Sequence, residues 1–265
     1  MTTPKLLRTV LLACALACPV AAVAEPPATR PNVATERLPS MDEVGRFVMT
    51  YHRDPQPARV PTMLRVIDAA GAFADEDASG SMLGAVAGLA VSDDALPAAM
   101  AEVAADLTPA GRLAVTQGLA LAGTDASGAA AATLAGRFPD EPLPGALPFS
   151  LATMPLRLPG HLDVMWGAYF TTGDAAYARR VTEVLAELPP TEDEQRAAVA
   201  AQGADLMPVL TAMSAKWSLG SIAKSEPPVR EMLAAVAADE ATDARTRQHV
   251  EEILADLAAA APPAG

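Results

Sequence analysis

The sequence predicts an all-α protein, built from stacked antiparallel helical hairpins with about ten to eleven helices. Three observations support this fold class. Alanine is very abundant and β-branched residues are few, and alanine has the highest intrinsic helix propensity. Apolar residues recur at spacings of three and four along most of the chain, which is the period of a helix face. Serine, threonine and aspartate stand where these stripes begin, and glycine or proline stands where they end.

The first 24 residues have the pattern of a secretory signal peptide. Lys5 and Arg8 precede an apolar run that ends in an A-x-A site at Ala24. A basic start, a short apolar stretch and small residues before the cleavage point are typical of such signals. We therefore expect cleavage between Ala24 and Glu25 and an exported, periplasmic protein.

Both cysteines of the chain, Cys14 and Cys18, lie inside this signal segment. The sequence before Cys14 loosely resembles a lipoprotein box, so lipid attachment or release outside the cell remains a less favoured alternative. Cleavage at Ala24 would leave a chain without thiol or disulfide chemistry.

The charge balance limits the class of partner. The sequence has 19 basic and 32 acidic residues, a net charge of −13. Such a chain is repelled by nucleic-acid phosphates and by anionic lipids. No later apolar run is long enough to span a bilayer. We expect no nucleic acid as partner and no membrane span in the mature chain, and another envelope protein is the candidate partner.

An N-terminal helical region is predicted over residues 40–138, after a flexible lead at residues 25–39. Ser40 and Glu43 have the spacing of a capping box, and Thr108 precedes a proline at the start of a later helix. Within this region glycine recurs every fourth residue along one predicted helix, which favours close approach of a neighbouring helix. These glycines are Gly80, Gly84 and Gly88.

A proline-rich segment follows at residues 139–160. Its proline density excludes regular helix, but its apolar residues, among them Leu151 and Met154, indicate an extended segment packed on the helices. A C-terminal helical region is predicted over residues 161–258, with a disordered tail at 259–265. It begins with a hairpin, in which Gly173 ends one helix and Asp174 caps the next. A single long helix then runs from Thr191, kinked at Pro208.

The hairpin carries two resemblances. Its spacing of Tyr169, Gly173 and Asp174 resembles part of a tetratricopeptide repeat, although Trp166 and Thr182 depart from that pattern. LDVMWGAYFTTGD, followed by AKWSLGSIAKSEPPV, resembles an uncharacterised family of secreted bacterial all-α proteins. The family resemblance implies a helical fold in the bacterial envelope. It implies no activity.

Candidate binding residues cluster on these same helices. Trp166, Tyr169, Trp217, Ser218 and Ser221 suggest a cleft with aromatic walls and hydroxyl groups. The alternative is that both tryptophans fill the core, and their positions on apolar stripes favour the core. The concave side of a helical array is the usual binding surface of such folds.

One motif suggests catalysis. Ser221 and Lys224 form an S-x-x-K, which on a helix places an amine one turn from a hydroxyl, as in serine acyl-hydrolases. Neither the K-T-G nor the sheet of those enzymes is found. The three histidines, His52, His161 and His249, lack the spacing of a metal site, and no cofactor motif is present. We expect a non-catalytic binding or scaffolding protein, with an acyl-hydrolase as the alternative.

Overall fold

The computed structural model describes residues 40–203 and 206–260. Within these residues all regular secondary structure is helical and there is no strand, which confirms the predicted fold class. The signal peptide, the flexible lead and residues 261–265 of the tail lie outside the described residues.

Twelve α-helices and two short 3₁₀ helices form the described part of the chain. The N-terminal region contains α1 Met41–Thr50, α2 Val60–Ala69, α3 Glu76–Ser92, α4 Leu96–Ala104, α5 Pro109–Ala122 and α6 Asp125–Arg137. The C-terminal region contains α7 Pro159–Thr172, α8 Ala175–Glu183, α9 Glu192–Ala201, α10 Leu206–Ile222, α11 Pro227–Ala238 and α12 Ala244–Ala259. The 3₁₀ helices are Pro57–Arg59 and Val184–Glu187.

The centre of the fold is a contact between α3 and α7. A methyl group added at Gly84 would overlap the Val164 backbone, and one added at Gly88 would lie 2.9 Å from the Ala168 Cα. Residue numbers increase in the same direction along the two helices at these contacts, so α3 and α7 pack in parallel. The glycine spacing therefore has the predicted role, because only glycine lets two backbones approach so closely.

The predicted hairpin is present as α7 and α8. Gly173 ends α7 in the left-handed conformation at φ 71°, and the Asp174 side chain caps α8 by accepting a hydrogen bond from the Ala176 amide. The preceding pair, α5 and α6, has the same construction, since its first helix is also 14 residues long and ends at a left-handed Gly123.

The long helix predicted from Thr191 is in fact two helices. The capping box of Thr191 and Glu194 opens α9, as expected, but α9 ends at Ala201. Gln202 follows in the left-handed conformation at φ 47°, which breaks the helical path. Pro208 consequently lies in the first turn of α10, where its missing N–H needs no helical acceptor. This break accounts for the twelfth helix. At the other end of the region, α12 includes Ala259, one residue into the predicted tail.

The proline-rich segment packs on the helices as predicted. Leu151 and Met154 are buried, and their carbonyl oxygens accept hydrogen bonds of 2.6 Å from the Arg180 guanidinium. The Leu151 amide donates to the Leu121 carbonyl at the end of α5. One arginine of α8 therefore anchors the turn at residues 150–154, which is also closed by a hydrogen bond from the Met154 amide to the Ser150 carbonyl.

Candidate functional site

Trp166 belongs to the packing between α7 and α10. Its ring is 5% exposed, and its indole N–H donates to the Ser218 hydroxyl at 3.1 Å. The Ser218 hydroxyl in turn donates to the Ala215 carbonyl. The hairpin of Trp166 thus contacts the helix of Trp217, with Ser218 at the contact.

Tyr169 is also buried in this layer, beside a carboxylate. Its hydroxyl donates to Glu226 at 3.4 Å, and its ring meets Trp166 edge to face at 6.0 Å. Glu226 is 6% exposed and forms a 2.5 Å ion pair with Arg53. Burial raises the pKa of Tyr169 to about 12, with a further contribution from the negative charge of Glu226. Trp166 and Tyr169 are therefore buried in the core, and Ser218 is half-buried and bonded to the Trp166 indole.

Trp217 is not in the core, contrary to the sequence expectation. Its side chain is 41% exposed. The face of α10 that packs inward carries small residues, including Ala212 and Ala215, together with Leu219. Trp217 lies two residues from Ala215, which places it on nearly the opposite side of the helix. The side of α10 that carries these alanines is the buried side, because small side chains let neighbouring helices approach closely.

Trp217 instead lines a groove of about 600 Å³ between α10 and α12. The start of α9 contributes to the same groove. Its apolar lining includes Leu188, Met213, Trp217, Ile253, Leu257 and Ala260. Its polar lining is Glu192, Gln195, Lys216, Ser221, Lys224 and Asp256. We call this surface the α10–α12 groove. A smaller cleft of about 480 Å³ lies beside exposed Leu158.

A chain of polar contacts holds the two walls of the groove together. Lys216 of α10 pairs with Glu252 of α12 at 2.6 Å, and Glu252 also contacts His249 at 3.0 Å. His249 is fully buried and reaches the Leu188 carbonyl with its other ring nitrogen. Burial acts to raise the pKa of Glu252, but hydrogen bonds from Lys216, Gln248 and His249 outweigh it and lower the pKa to about 2.

Ser221 and Lys224 both line the α10–α12 groove. Ser221 is in the last turn of α10, and Lys224 follows the end of that helix and is exposed. Among the described residues no hydrogen bond joins the Ser221 hydroxyl to the Lys224 amine. An activated serine needs its base within hydrogen-bond reach. Ser221 and Lys224 therefore supply two polar groups to the groove.

The three histidines have separate roles. His52 contacts the Phe170 carbonyl at 2.9 Å, and His161 accepts a hydrogen bond from the Arg157 amide. Burial lowers the pKa of His161. His249 belongs to the groove network. No cluster of potential metal ligands occurs within residues 40–203 and 206–260.

Sequence reasoning missed most of the groove network. The signal that was available is the three-residue spacing of His249 and Glu252 on one helix, together with the lysine beside Trp217. Neither reveals that the two helices meet.

Comparison of the chain with known protein families, curated proteins and solved structures found no match. In the described part of the chain, none of the helices combines the length and apolar character needed to cross a bilayer. We therefore infer function from the geometry of the α10–α12 groove.

Proposed function

We propose that this protein is a non-catalytic binding protein, which holds a segment of another protein in the α10–α12 groove. One observation carries the proposal. Within the described residues three large hydrophobic side chains are exposed, Leu158, Met213 and Trp217, and two of them line this groove. They stand four residues apart on α10, so they form one continuous apolar surface.

Tryptophan and methionine side chains favour this interpretation. Both are enriched at protein interfaces, and tryptophan is among the residues that contribute most to binding when its ring is covered. A tryptophan ring that stays exposed to water lacks the stabilising free energy that its burial would provide. The floor of the groove is firm, because Ile253 and Leu188 beneath it are buried and Lys216 is paired with Glu252.

Site-specific photo-crosslinking in the expressing cell tests the proposal. A benzophenone amino acid at position 217 should give a discrete protein adduct. The same amino acid at Ala132, an exposed position on α6 far from the groove, serves as the matched control. Adducts of equal yield at both positions, or none at position 217, would refute a partner site in the groove.

We place this binding in the bacterial periplasm or envelope, because residues 1–24 have the pattern of a secretory signal peptide. The intact mass of the periplasmic product tests this part. A chain that begins at Glu25 is expected, whereas a diacylated chain that begins at Cys14 or Cys18 would indicate a lipoprotein.

The acyl-hydrolase alternative has its own test. A fluorophosphonate probe should label the protein no more strongly than it labels the Ser221→Ala variant. Labelling that is lost in Ser221→Ala would establish a reactive serine and overturn the non-catalytic proposal.

A further inference from the structure

Charge along the α10–α12 groove indicates which kind of segment it accepts. Lys216 is neutralised by Glu252. Among the described residues, neither Glu192 nor Asp256 takes part in an ion pair, and both are exposed. Lys224 is the one unpaired cation that lines the groove within the described part of the chain. When Glu252 is counted beside its partner Lys216, the acidic groups at the groove outnumber the basic groups by one, on a protein whose total charge is −13.

Asp256 is in a position that helix stability does not explain. It lies in the last turn of α12, which ends at Ala259 and has no basic residue there. The carbonyl end of a helix carries partial negative charge, so an acidic side chain there is unfavourable. Its place beside Leu257 and Ala260 on the groove gives it a different role, which is to meet a positive charge on the ligand.

The walls of the groove indicate the conformation of the ligand. α10 and α12 use their backbone donors and acceptors for their own helical hydrogen bonds. An extended peptide laid between them would find few partners for its backbone, whereas a helix satisfies its own. An apolar strip on a helix also matches the row formed by Met213 and Trp217.

We propose that the α10–α12 groove binds a basic amphipathic helix of a partner protein. Its apolar face covers Met213 and Trp217, and its lysine or arginine side chains pair with Glu192 and Asp256. This inference rests on the proposed function, for which it names the class of partner. The overall negative charge also speeds the encounter with such a partner, since electrostatic attraction steers association.

Two labelled peptides of about 18 residues, or five helical turns, test the inference. Both carry the same leucine stripe, and their polar positions are lysine in one and glutamate in the other. Fluorescence anisotropy with the purified full chain measures the affinity of each. We expect the lysine peptide to bind at least about tenfold tighter, which corresponds to about 1.4 kcal/mol. The difference should shrink as salt screens the charges.

Groove variants separate specific binding from general attraction to an acidic protein. Asp256→Lys should weaken the lysine peptide several-fold, and Lys224→Glu should strengthen it. Asp94→Lys, which changes the net charge equally at an exposed position outside the groove, should have little effect. Trp217→Ala should weaken both peptides. Because Asp256→Lys places a cation at a helix C-terminus, it should not unfold the protein.

The outcomes distinguish the inference from the proposed function. If the two peptides bind equally and Trp217→Ala weakens both, the groove binds helices but charge does not select them. If the glutamate peptide binds more tightly, Lys224 determines the preference and the inference is wrong. If Trp217→Ala and Asp256→Lys behave like Asp94→Lys, the peptides bind elsewhere, and the inference fails as well.

Discussion

Trp166 and Trp217 are 51 residues apart and differ in burial, at 5% and 41% exposed. Their contributions to stability should differ accordingly. We predict that Trp166→Ala lowers the free energy of unfolding by about 3–5 kcal/mol, through lost burial, a cavity and the lost hydrogen bond to the Ser218 hydroxyl. Trp217→Ala should change it by less than about 0.5 kcal/mol. Urea unfolding of the two variants measures both values. Equal losses would mean that Trp217 also belongs to the core.

The carboxyl group of Asp163 gives a second prediction for a single residue, which concerns how stability depends on pH. Burial raises its pKa from 3.8 to about 6. The folded protein therefore holds this proton more tightly than the unfolded chain. The contribution to stability is fully present below about pH 4 and is lost as the pH rises through about 6.

Asp163→Asn should consequently remove this pH dependence. At pH 8 the variant should be more stable than the parent by about 3 kcal/mol, since one pKa unit corresponds to 1.36 kcal/mol. At pH 3.5 the two proteins should be equally stable. Thermal unfolding across this range measures the effect, with Asp94→Asn at an exposed position as the control. A parent protein whose stability rises from pH 4 to pH 7 relative to Asp163→Asn would contradict the assignment.

At the scale of helices, the glycine contact between α3 and α7 makes a matched pair of tests. Gly84→Ala would drive a methyl group into the Val164 backbone, whereas a methyl group at Gly128 in α6 meets nothing within 4 Å. We predict that Gly84→Ala destabilises the protein by about 1–3 kcal/mol or more, because packed helices must separate. Gly128→Ala should stabilise it by about 0.5–1 kcal/mol through helix propensity. Chemical denaturation measures both, and a neutral Gly84→Ala would show that α3 and α7 are loosely packed.

Helix ends were the features that the sequence predicted best. Capping depends on residues within one turn, so Thr108, Asp174 and Thr191 act at the positions read from their neighbours. The break between α9 and α10 was missed, because the apolar stripe continues through Gln202 and only the backbone conformation interrupts it. Which helix meets the glycine row could not be predicted either, since local patterns do not identify a partner far along the chain.

The candidate site was predicted in part. Trp217, Ser221 and Lys224 were singled out from the sequence and share one groove. Trp166, Tyr169 and Ser218 were grouped with them, but Trp166 and Tyr169 are buried, and the half-buried Ser218 hydroxyl accepts a hydrogen bond from the Trp166 indole. The sequence alone could not separate the two groups, because the buried face of α10 is made by alanine, a residue that carries little hydrophobic signal beside a tryptophan.

At the scale of the whole molecule, Glu226 links distant parts of the chain. It accepts hydrogen bonds from Arg53, which follows α1, and from Tyr169 of α7, and it stands at the start of α11. We predict that Arg53→Ala destabilises the protein by about 1–3 kcal/mol, because it leaves a buried carboxylate without its cation. In the Glu226→Gln variant, Arg53→Ala should lower the free energy of unfolding by much less.

A double-mutant cycle over these two positions measures the coupling. Arg59→Ala is a suitable control, since that arginine contacts Phe47 and Gln56 and has no contact with Glu226. Additive effects of Arg53→Ala and Glu226→Gln would show that the ion pair contributes nothing beyond its separate parts.

The parallel contact of α3 with α7 also affects the order in which the protein acquires its structure. Gly84 meets Val164 and Gly88 meets Ala168, so each pair joins residues 80 positions apart. Closing so long a loop delays the contact, and such non-local contacts slow folding. During synthesis, α3 has no partner for its glycine face until α7 has left the ribosome. A nascent chain that ends after α6 should therefore be less stable than the full chain, because the glycine face of α3 is then uncovered.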